Sequence, residues 1–400
     1  MKNILFIAKL SSFQTQNSPN RYYFLKYLES KANIRIINDN YSTNLKNWLE
    51  QNKNEFRPDI IIYYFLTRTK VFSKINILDF KRTISLYRIP SIMIFEDSHY
   101  IKLVNEVYKK YNFNYLISLY NNKEIISKLN YYNIPVSVWN HYIDTSKFNN
   151  DNKKNKKYDF LFYGFNNKEI YPLRNKIYIA LKQIQRSNKH IKIKIIEHNG
   201  EYNKRINPLP TQQELSSLIS ESRFSFATSS KYNLFIKKYI EIPLSGATVI
   251  GNIPRSYENL LTNNIININK YSSVNSIKKI LLDAYNKKYI HIENKNKFFS
   301  EKLKSKYCYQ QGYNDLNLIV NNILISVKDY KKKRKNTKEF KKMDLLPISN
   351  YSPSNLSIVR NNISTINENT NTNTNANTNT NTNVNRKIFK RKEVSFRFNI

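Results

Sequence analysis

Two successive series of short apolar runs, each run separated from the next by a helix-period segment, constrain this chain more than any other feature. Residues 3–8, Ile34-Arg35-Ile36-Ile37, Asp59-Ile60-Ile61-Ile62-Tyr63-Tyr64, Ser91-Ile92-Met93-Ile94-Phe95, Tyr115-Leu116-Ile117-Ser118 and Val136-Ser137-Val138 read as strands. The third and fourth are entered by Arg57-Pro58 and Ile89-Pro90. Helical periods fill the gaps, among them 20–31, 100–111 and 122–132. Strand and helix in alternation, with strands too apolar to face water on either side, predict a parallel α/β sheet.

The series then restarts. Lys153-Lys154-Asn155-Lys156-Lys157 has no apolar residue and reads as a linker. Tyr158-Asp159-Phe160-Leu161-Phe162-Tyr163-Gly164 is a strand closed by a glycine turn. A helix at 171–186, a strand over Ile191–Ile196, helix 211–222, strand 224–228, helix 233–245 and strand 247–250 follow, and helices at 273–288 and 295–327 close the series. The expected fold is α/β, with two Rossmann-like parallel-sheet domains in tandem: 1–145 and 146–330. Residues 331–400 open on Lys331-Lys332-Lys333-Arg334-Lys335 and carry an Asn-Thr repeat without apolar period, so a disordered basic tail is expected there.

The formal net charge of +37 makes nucleic acid the first partner to consider. Lys, Asn, Ile and Tyr are inflated together, however, which is what the codons of an AT-rich genome produce. Charge acquired that way spreads over the surface and need not build a binding face, whereas a nucleic-acid function calls for a clustered one. The tail clusters, including Arg386-Lys387-Ile388-Phe389-Lys390-Arg391-Lys392, could hold an anionic partner such as nucleic acid or a membrane, or could be solvated tail. The single cysteine, Cys308, rules out an internal disulfide and a cysteine zinc site and fits a reducing compartment, so a cytoplasmic location is expected. No apolar run approaches the ~20 residues of a membrane helix, and the apolar start reads as a buried strand rather than a signal peptide.

Glycine is scarce, with 5 in 400 residues, so each one retained should answer a backbone need. Two fall in the block Lys237-Lys238-Tyr239-Ile240-Glu241-Ile242-Pro243-Leu244-Ser245-Gly246-Ala247-Thr248-Val249-Ile250-Gly251. The helix of this block follows strand 224–228 across Ser229-Ser230-Lys231-Tyr232, so its start lies at the carboxyl end of a parallel strand, where open α/β sheets bind ligands. Helix N-termini attract phosphate, and Ser229, Ser230 and Lys231 could add donors. Lys238 and Glu241 are three apart and share a face. A carboxylate that can take two vicinal hydroxyls beside a lysine suits a ribose joined to a diphosphate. The alternatives are a surface ion pair and, for Gly246, a helix cap.

The order Lys238-x-x-Glu241-x-x-x-x-Gly246, then a strand and Gly251-x-x-Pro254, resembles the donor segment of GT-B glycosyltransferases, and in particular the spore-protein CgeB-like group. Tyr158–Gly164 with Tyr171-Pro172-Leu173-Arg174 is similar to the opening of that group's second domain, and Glu197-His198-Asn199-Gly200-Glu201-Tyr202 resembles its His-x-Gly-Tyr loop with one residue added. The resemblance covers about 150–330. It implies a metal-independent transferase with no cofactor, whose donor is a UDP-, GDP- or similar nucleotide sugar and whose acceptor is a glycan, protein or lipid. It implies that Glu241 holds the ribose, Lys238 neutralises diphosphate, Gly164 allows close backbone approach and Arg174 contacts phosphate. Many retaining members carry a second Glu eight positions before the first; Asn233 stands there and leaves the stereochemical course open.

In the first domain, Phe95-Glu96-Asp97-Ser98-His99 follows strand 91–95 at the same sheet edge. Asp97 and His99 are the candidates for taking a proton from an acceptor hydroxyl. Capping of helix 99–111 by Asp97 or Ser98 is the alternative. Trp139-Asn140-His141-Tyr142-Ile143-Asp144-Thr145 lies at the domain joint, as cleft lining or as hinge packing. The competing functions are a tail-driven nucleic-acid or membrane binder and an inactive transferase fold kept for binding.

Overall fold

A computed structural model describes residues 1–8, 10, 19–38, 44–65, 77–95, 101–132, 134–149, 155–196 and 210–336. Every described residue falls in one compact unit. Six strands, β1 (Ile4–Ala8), β2 (Ile34–Asn38), β3 (Ile60–Phe65), β4 (Ser91–Phe95), β5 (Tyr115–Ser118) and β6 (Val136–Val138), form a sheet of order β2-β1-β3-β4-β5-β6. All its pairings are parallel; Ile4 faces Ile34 on one side and Ile60 on the other. The five residues of β1 are fully buried because helices cover both faces. Ile4, Phe6 and Ala8 point to one core and Leu5 and Ile7 to the other, as the strand period of two requires.

The helices of this half are α1 (Pro19–Glu29), α2 (Leu45–Asn52), α3 (Ile77–Leu86), α4 (Ile101–Tyr111) and α5 (Lys123–Tyr131). Of these five, α1 lies on the first face and α2 to α5 on the second. Asn122 starts α5, its Oδ1 accepting from the N–H groups of Glu124 and Ile125.

The second half repeats the plan with β7 (Tyr158–Tyr163), β8 (Ile193–Ile196), β9 (Ser222–Ala227), β10 (Thr248–Gly251) and β11 (Ile266–Asn267), again parallel, in the order β11-β10-β9-β7-β8. Its helices are α6 (Pro172–Ser187), α7 (Gln212–Ser220), α8 (Lys238–Leu244), α9 (Glu258–Leu261), α10 (Val274–Tyr285) and α11 (Ile290–Tyr307). The expected doubly built α/β architecture is present. Gly251 meets its expected backbone need: a Cβ there would lie 1.6 Å from the Ala227 carbonyl oxygen of the paired strand.

Two helix expectations are corrected. The run 295–327 is not one helix: α11 stops at Tyr307, Cys308 is extended (ψ 162°), and α12 (Tyr309–Asn336) begins anew. The break lets the chain change cores. Phe299 and Leu303 pack in the second half, whereas Tyr313, Leu316, Val320 and Ile323 pack on the first sheet against Phe24 and Leu28. The joint is fastened there, with Trp139 Nε1 donating to the Gly312 carbonyl at 2.9 Å and Tyr142 Oη to Asp315 at 2.6 Å. Helix α12 also carries Lys331–Lys335 in its backbone, six residues beyond the expected start of the tail; residues 337–400 lie outside the described residues. The second correction concerns 233–245, which is a loop to Lys237 and helical only over Lys238–Leu244.

Candidate functional site

The second sheet changes direction between β7 and β9, since the chain runs from β7 outward to β8 and then returns to β7's other side. Two loops leave the carboxyl ends of these neighbouring strands: 164–171 after β7 and 228–237 after β9. A crevice at such a switch point is where an open α/β sheet accepts ligands. Gly164, Arg174, Lys238 and Glu241 come together there.

Gly164 has φ +93°, a conformation that L side chains avoid, and an added Cβ would stand 2.7 Å from Lys238 Nζ. The Lys238 ammonium donates to the Tyr163 carbonyl and lies 3.8 Å from the centre of the Tyr163 ring. Pro172 sets the first turn of α6 and places Arg174 inward. Arg174 is 3% exposed, stacks on Tyr171 at 3.9 Å, and donates through Nε to Thr228 at 3.1 Å and through Nη1 to the Phe165 carbonyl at 2.8 Å. Its Nη2 is buried and has no partner among the described residues, and the same holds for Tyr163 Oη and Asn166 Oδ1. Buried polar groups left unpaired cost about 1–3 kcal/mol each, so three around one glycine turn mark a place shaped for something else.

Helix α8 is buried on every side, and Glu241 is its only carboxylate, 7% exposed. No hydrogen bond or ion pair holds that carboxylate among the described residues. Its charge is instead felt at a distance by Lys237, Lys238 and Tyr163. Burial, and then the neighbouring Arg174, push Lys238 well below its ordinary pKa; Glu241 opposes the shift. Burial also lowers Lys237, with Glu241 opposing and Arg21 of α1 adding to the shift. Arg174 is lowered by burial too. Lys237 and Lys238 thus face a single carboxylate, with Arg174 beside Lys238 and Arg21 of the first half beside Lys237. This is an electrostatic demand for an anion that the protein does not itself supply.

The other residues singled out in the sequence have different places. Ser229 is buried and occupied by Asn252, whose Oδ1 accepts from the Ser229 N–H at 2.9 Å and whose Nδ2 donates to Oγ at 2.5 Å. Ser230 Oγ accepts from the Tyr232 N–H at 3.2 Å. Lys231 is exposed, its N–H donating to the Ile170 carbonyl at 2.8 Å. Asn233 has φ +58°, a turn conformation that Asn tolerates better than Glu. Gly246 lies at the far end of α8 with φ +81°, and its carbonyl accepts from Lys156 Nζ at 2.8 Å. It stops the helix and is not part of the crevice. Asp97, His99 and the loop 197–202 lie outside the described residues.

Of the joint residues, Trp139 and Tyr142 are packed, while His141 is 8% exposed and meets the Tyr120 ring edge-on at 5.0 Å. Burial first, then Arg21 and Lys237, hold its pKa well below the usual histidine value. Lys237 stood beside Lys238 in the block read from the sequence, and Tyr163 in the strand that ends at Gly164. Asn166 and Arg21 were not singled out, and no local pattern marks either of them. Among the described residues no three His, Cys, Asp or Glu side chains gather as metal ligands, and no helix is long and apolar enough to cross a membrane.

No protein-family model matches the chain, and no curated protein matches it. Its fold is similar to those of many solved structures, among them the following three. The sucrose-phosphate synthase of Thermosynechococcus elongatus has a TM-score of 0.54 at 8% identity, with 82% of this chain and 100% of that one covered. Anabaena Alr3699/HepE in complex with UDP-glucose has 0.50 at 10%, covering 80% and 100%. The lipopolysaccharide outer core galactosyltransferase WaaB in its apo form has 0.50 at 10%, covering 80% and 99%. What is shared at such identities is the fold, two parallel sheets with alternating helices.

Proposed function

We propose that the chain is a GT-B glycosyltransferase that binds a nucleotide-diphosphate sugar at the β7/β9 crevice and transfers the sugar to an acceptor hydroxyl. One observation carries the reading: the buried Glu241 carboxylate has no protein partner among the described residues and stands among Lys237, Lys238 and Arg174. A nucleoside diphosphate fits both needs, because its ribose offers two vicinal hydroxyls to the carboxylate and its pyrophosphate offers anionic oxygens to the cations. The structural neighbours are consistent with this, one being a complex with UDP-glucose and another a galactosyltransferase by name.

In the reaction the bond from the sugar's anomeric carbon to the β-phosphate oxygen breaks. A bond forms from that carbon to the acceptor oxygen, and the acceptor hydroxyl loses its proton. Charge grows on the leaving diphosphate, where the Lys238 ammonium and the free Nη2 of Arg174 stabilise it without a metal ion. Asp97 and His99, on the segment that leaves β4, are the proposed receivers of the acceptor proton. The CgeB-like assignment is the finer form of the same proposal, supported by Lys238, Glu241 and the Tyr163-Gly164 turn. A cytoplasmic location accords with it.

Thermal unfolding with UDP and GDP tests the reading. Either nucleotide at a hundred times its Kd should stabilise the fold by about 2.7 kcal/mol. Glu241→Ala should remove that gain, read against the variant's own nucleotide-free melting temperature, which loss of the only carboxylate beside Lys237 and Lys238 lowers. Stabilisation that persists in Glu241→Ala would place the nucleotide elsewhere. Nucleotide binding without hydrolysis or transfer of any nucleotide sugar would make the fold a binding module.

A further inference from the structure

A cavity of about 690 Å3 lies outside the crevice, between α4 and α5, and is closed on one side by Tyr232 from the loop after β9. Its size falls within the roughly 300–1,000 Å3 typical of small-molecule sites. Both helices follow strands of the first sheet, so their first turns stand at the sheet edge where that half meets the second. From Glu124 in the first turn of α5 to Tyr132 at its end, the wall is about 12 Å long at 1.5 Å per residue. It is therefore a groove with one end toward the crevice.

Its chemistry differs from that of the crevice. Glu106 and Glu124 face Lys102 and Lys128, so the fixed charge balances. Acidic residues number 29 against 66 basic ones in this chain, and two of them line this one groove. None of these four side chains makes a hydrogen bond or ion pair among the described residues, so their polar ends are available to a ligand. Three tyrosines and the aliphatic Ile101, Leu103 and Ile125 complete the lining. Tyr131 is 83% exposed, and its ring stands at 73° to that of Tyr132 with centres 5.5 Å apart, forming an open aromatic corner.

We infer that this groove is the acceptor site and that it holds a neutral oligosaccharide; the inference rests on the glycosyltransferase reading above. A pyranose ring has a face of C–H groups that covers an aromatic ring and a rim of hydroxyls that carboxylates and ammonium groups bond. The elongated wall fits a chain of linked rings better than a single one. Balanced charge offers an anionic acceptor no net attraction, so a neutral one loses nothing by comparison. The link to the crevice is covalent and short. Asn122 Nδ2 donates to the Tyr232 carbonyl at 2.5 Å, and the chain continues from Tyr232 through Asn233 to Lys237 and Lys238. The groove wall at Tyr232 and Lys237 of the donor site thus belong to one loop.

The test uses the full chain and saturation-transfer NMR with maltotetraose, cellotetraose, chitotetraose and mannotetraose, beside UDP and GDP titrations. At least one tetrasaccharide should bind. Tyr131→Ala and Glu124→Gln, both at the surface, should each weaken it at least tenfold and leave nucleotide affinity within twofold. Absence of binding by all four sugars at millimolar concentration, or binding that neither substitution weakens, overturns the acceptor assignment. Binding of an acyl chain or a peptide in place of sugar also overturns it. Failure of the donor reading registers separately, as loss of nucleotide binding or its indifference to Glu241→Ala.

Discussion

The ammonium of Lys238 rests 3.8 Å above the centre of the Tyr163 ring and donates to the carbonyl of the same residue. A helix following β9 is thereby pinned to the end of β7, and the contact exists because the next residue, Gly164, has no side chain. A cation held this way is presented to the crevice in a fixed position, so less entropy is lost when an anion arrives.

Gly164→Ala should therefore act twice. The φ of +93° costs an L residue about 1–2 kcal/mol, which urea unfolding would measure. The new Cβ, 2.7 Å from Nζ, also displaces the ammonium, so UDP or GDP affinity should fall about tenfold, or about 1.4 kcal/mol. Unchanged affinity would show that Lys238 does not reach the nucleotide.

Nucleotide binding should take up a proton. Burial and Arg174 hold the Lys238 pKa well below 10.5, and a diphosphate alongside favours the charged form and raises it. Affinity should then fall as pH rises through the free-state pKa of Lys238. Calorimetry above neutral pH, in buffers of different ionisation enthalpy, should give different apparent heats. The difference should vanish in Lys238→Met.

His141 makes stability depend on acid. Its folded-state pKa is lowered by burial and by Arg21 and Lys237, while the unfolded chain titrates near 6.5. Below about 6.5 the unfolded state binds the proton first, so stability falls as pH falls, by up to about 1.4 kcal/mol per pH unit, until the folded-state pKa is reached. His141→Gln should flatten this part of the stability curve; an unaltered slope would assign it to other groups.

Leu234→Ala should loosen the two halves together. Leu234 is 4% exposed and packs in the first half's core, while its neighbour Phe235 stacks on Tyr257 in the second with ring centres 4.0 Å apart. Loss of the side chain should cost about 2–5 kcal/mol. Because the loop leads directly to Lys237, nucleotide affinity should fall with it. Calorimetric unfolding in two steps would report uncoupled halves.

Much of the fold was legible because parallel strands buried on both faces need continuous apolar runs, and Ile4–Ala8 or Ser91–Phe95 admit few other readings. Lys238, Glu241 and Gly164 were legible for a related reason: in a chain with so few glycines and carboxylates, their spacing is conspicuous. The helical boundary at 233 was not legible. Leu234 and Phe235 look like one apolar helix face, yet each enters a different core. Nor did periodicity reveal the change of partner at Cys308, since pattern does not say which sheet an apolar face will meet.

By itself the sequence determined the two α/β series, the strands that end at the crevice, and the placing of Lys238 and Glu241 three residues apart on one helix, because these follow from local period and residue type. Only the tertiary structure decided that Arg21 of the first half approaches Lys237 and that Arg174 turns an unpaired nitrogen inward. The same holds for Tyr232, which closes a groove more than a hundred residues away in the chain. Each of these depends on how two separately buried sheets pack against one another, and long-range packing leaves no period in the chain from which to read it.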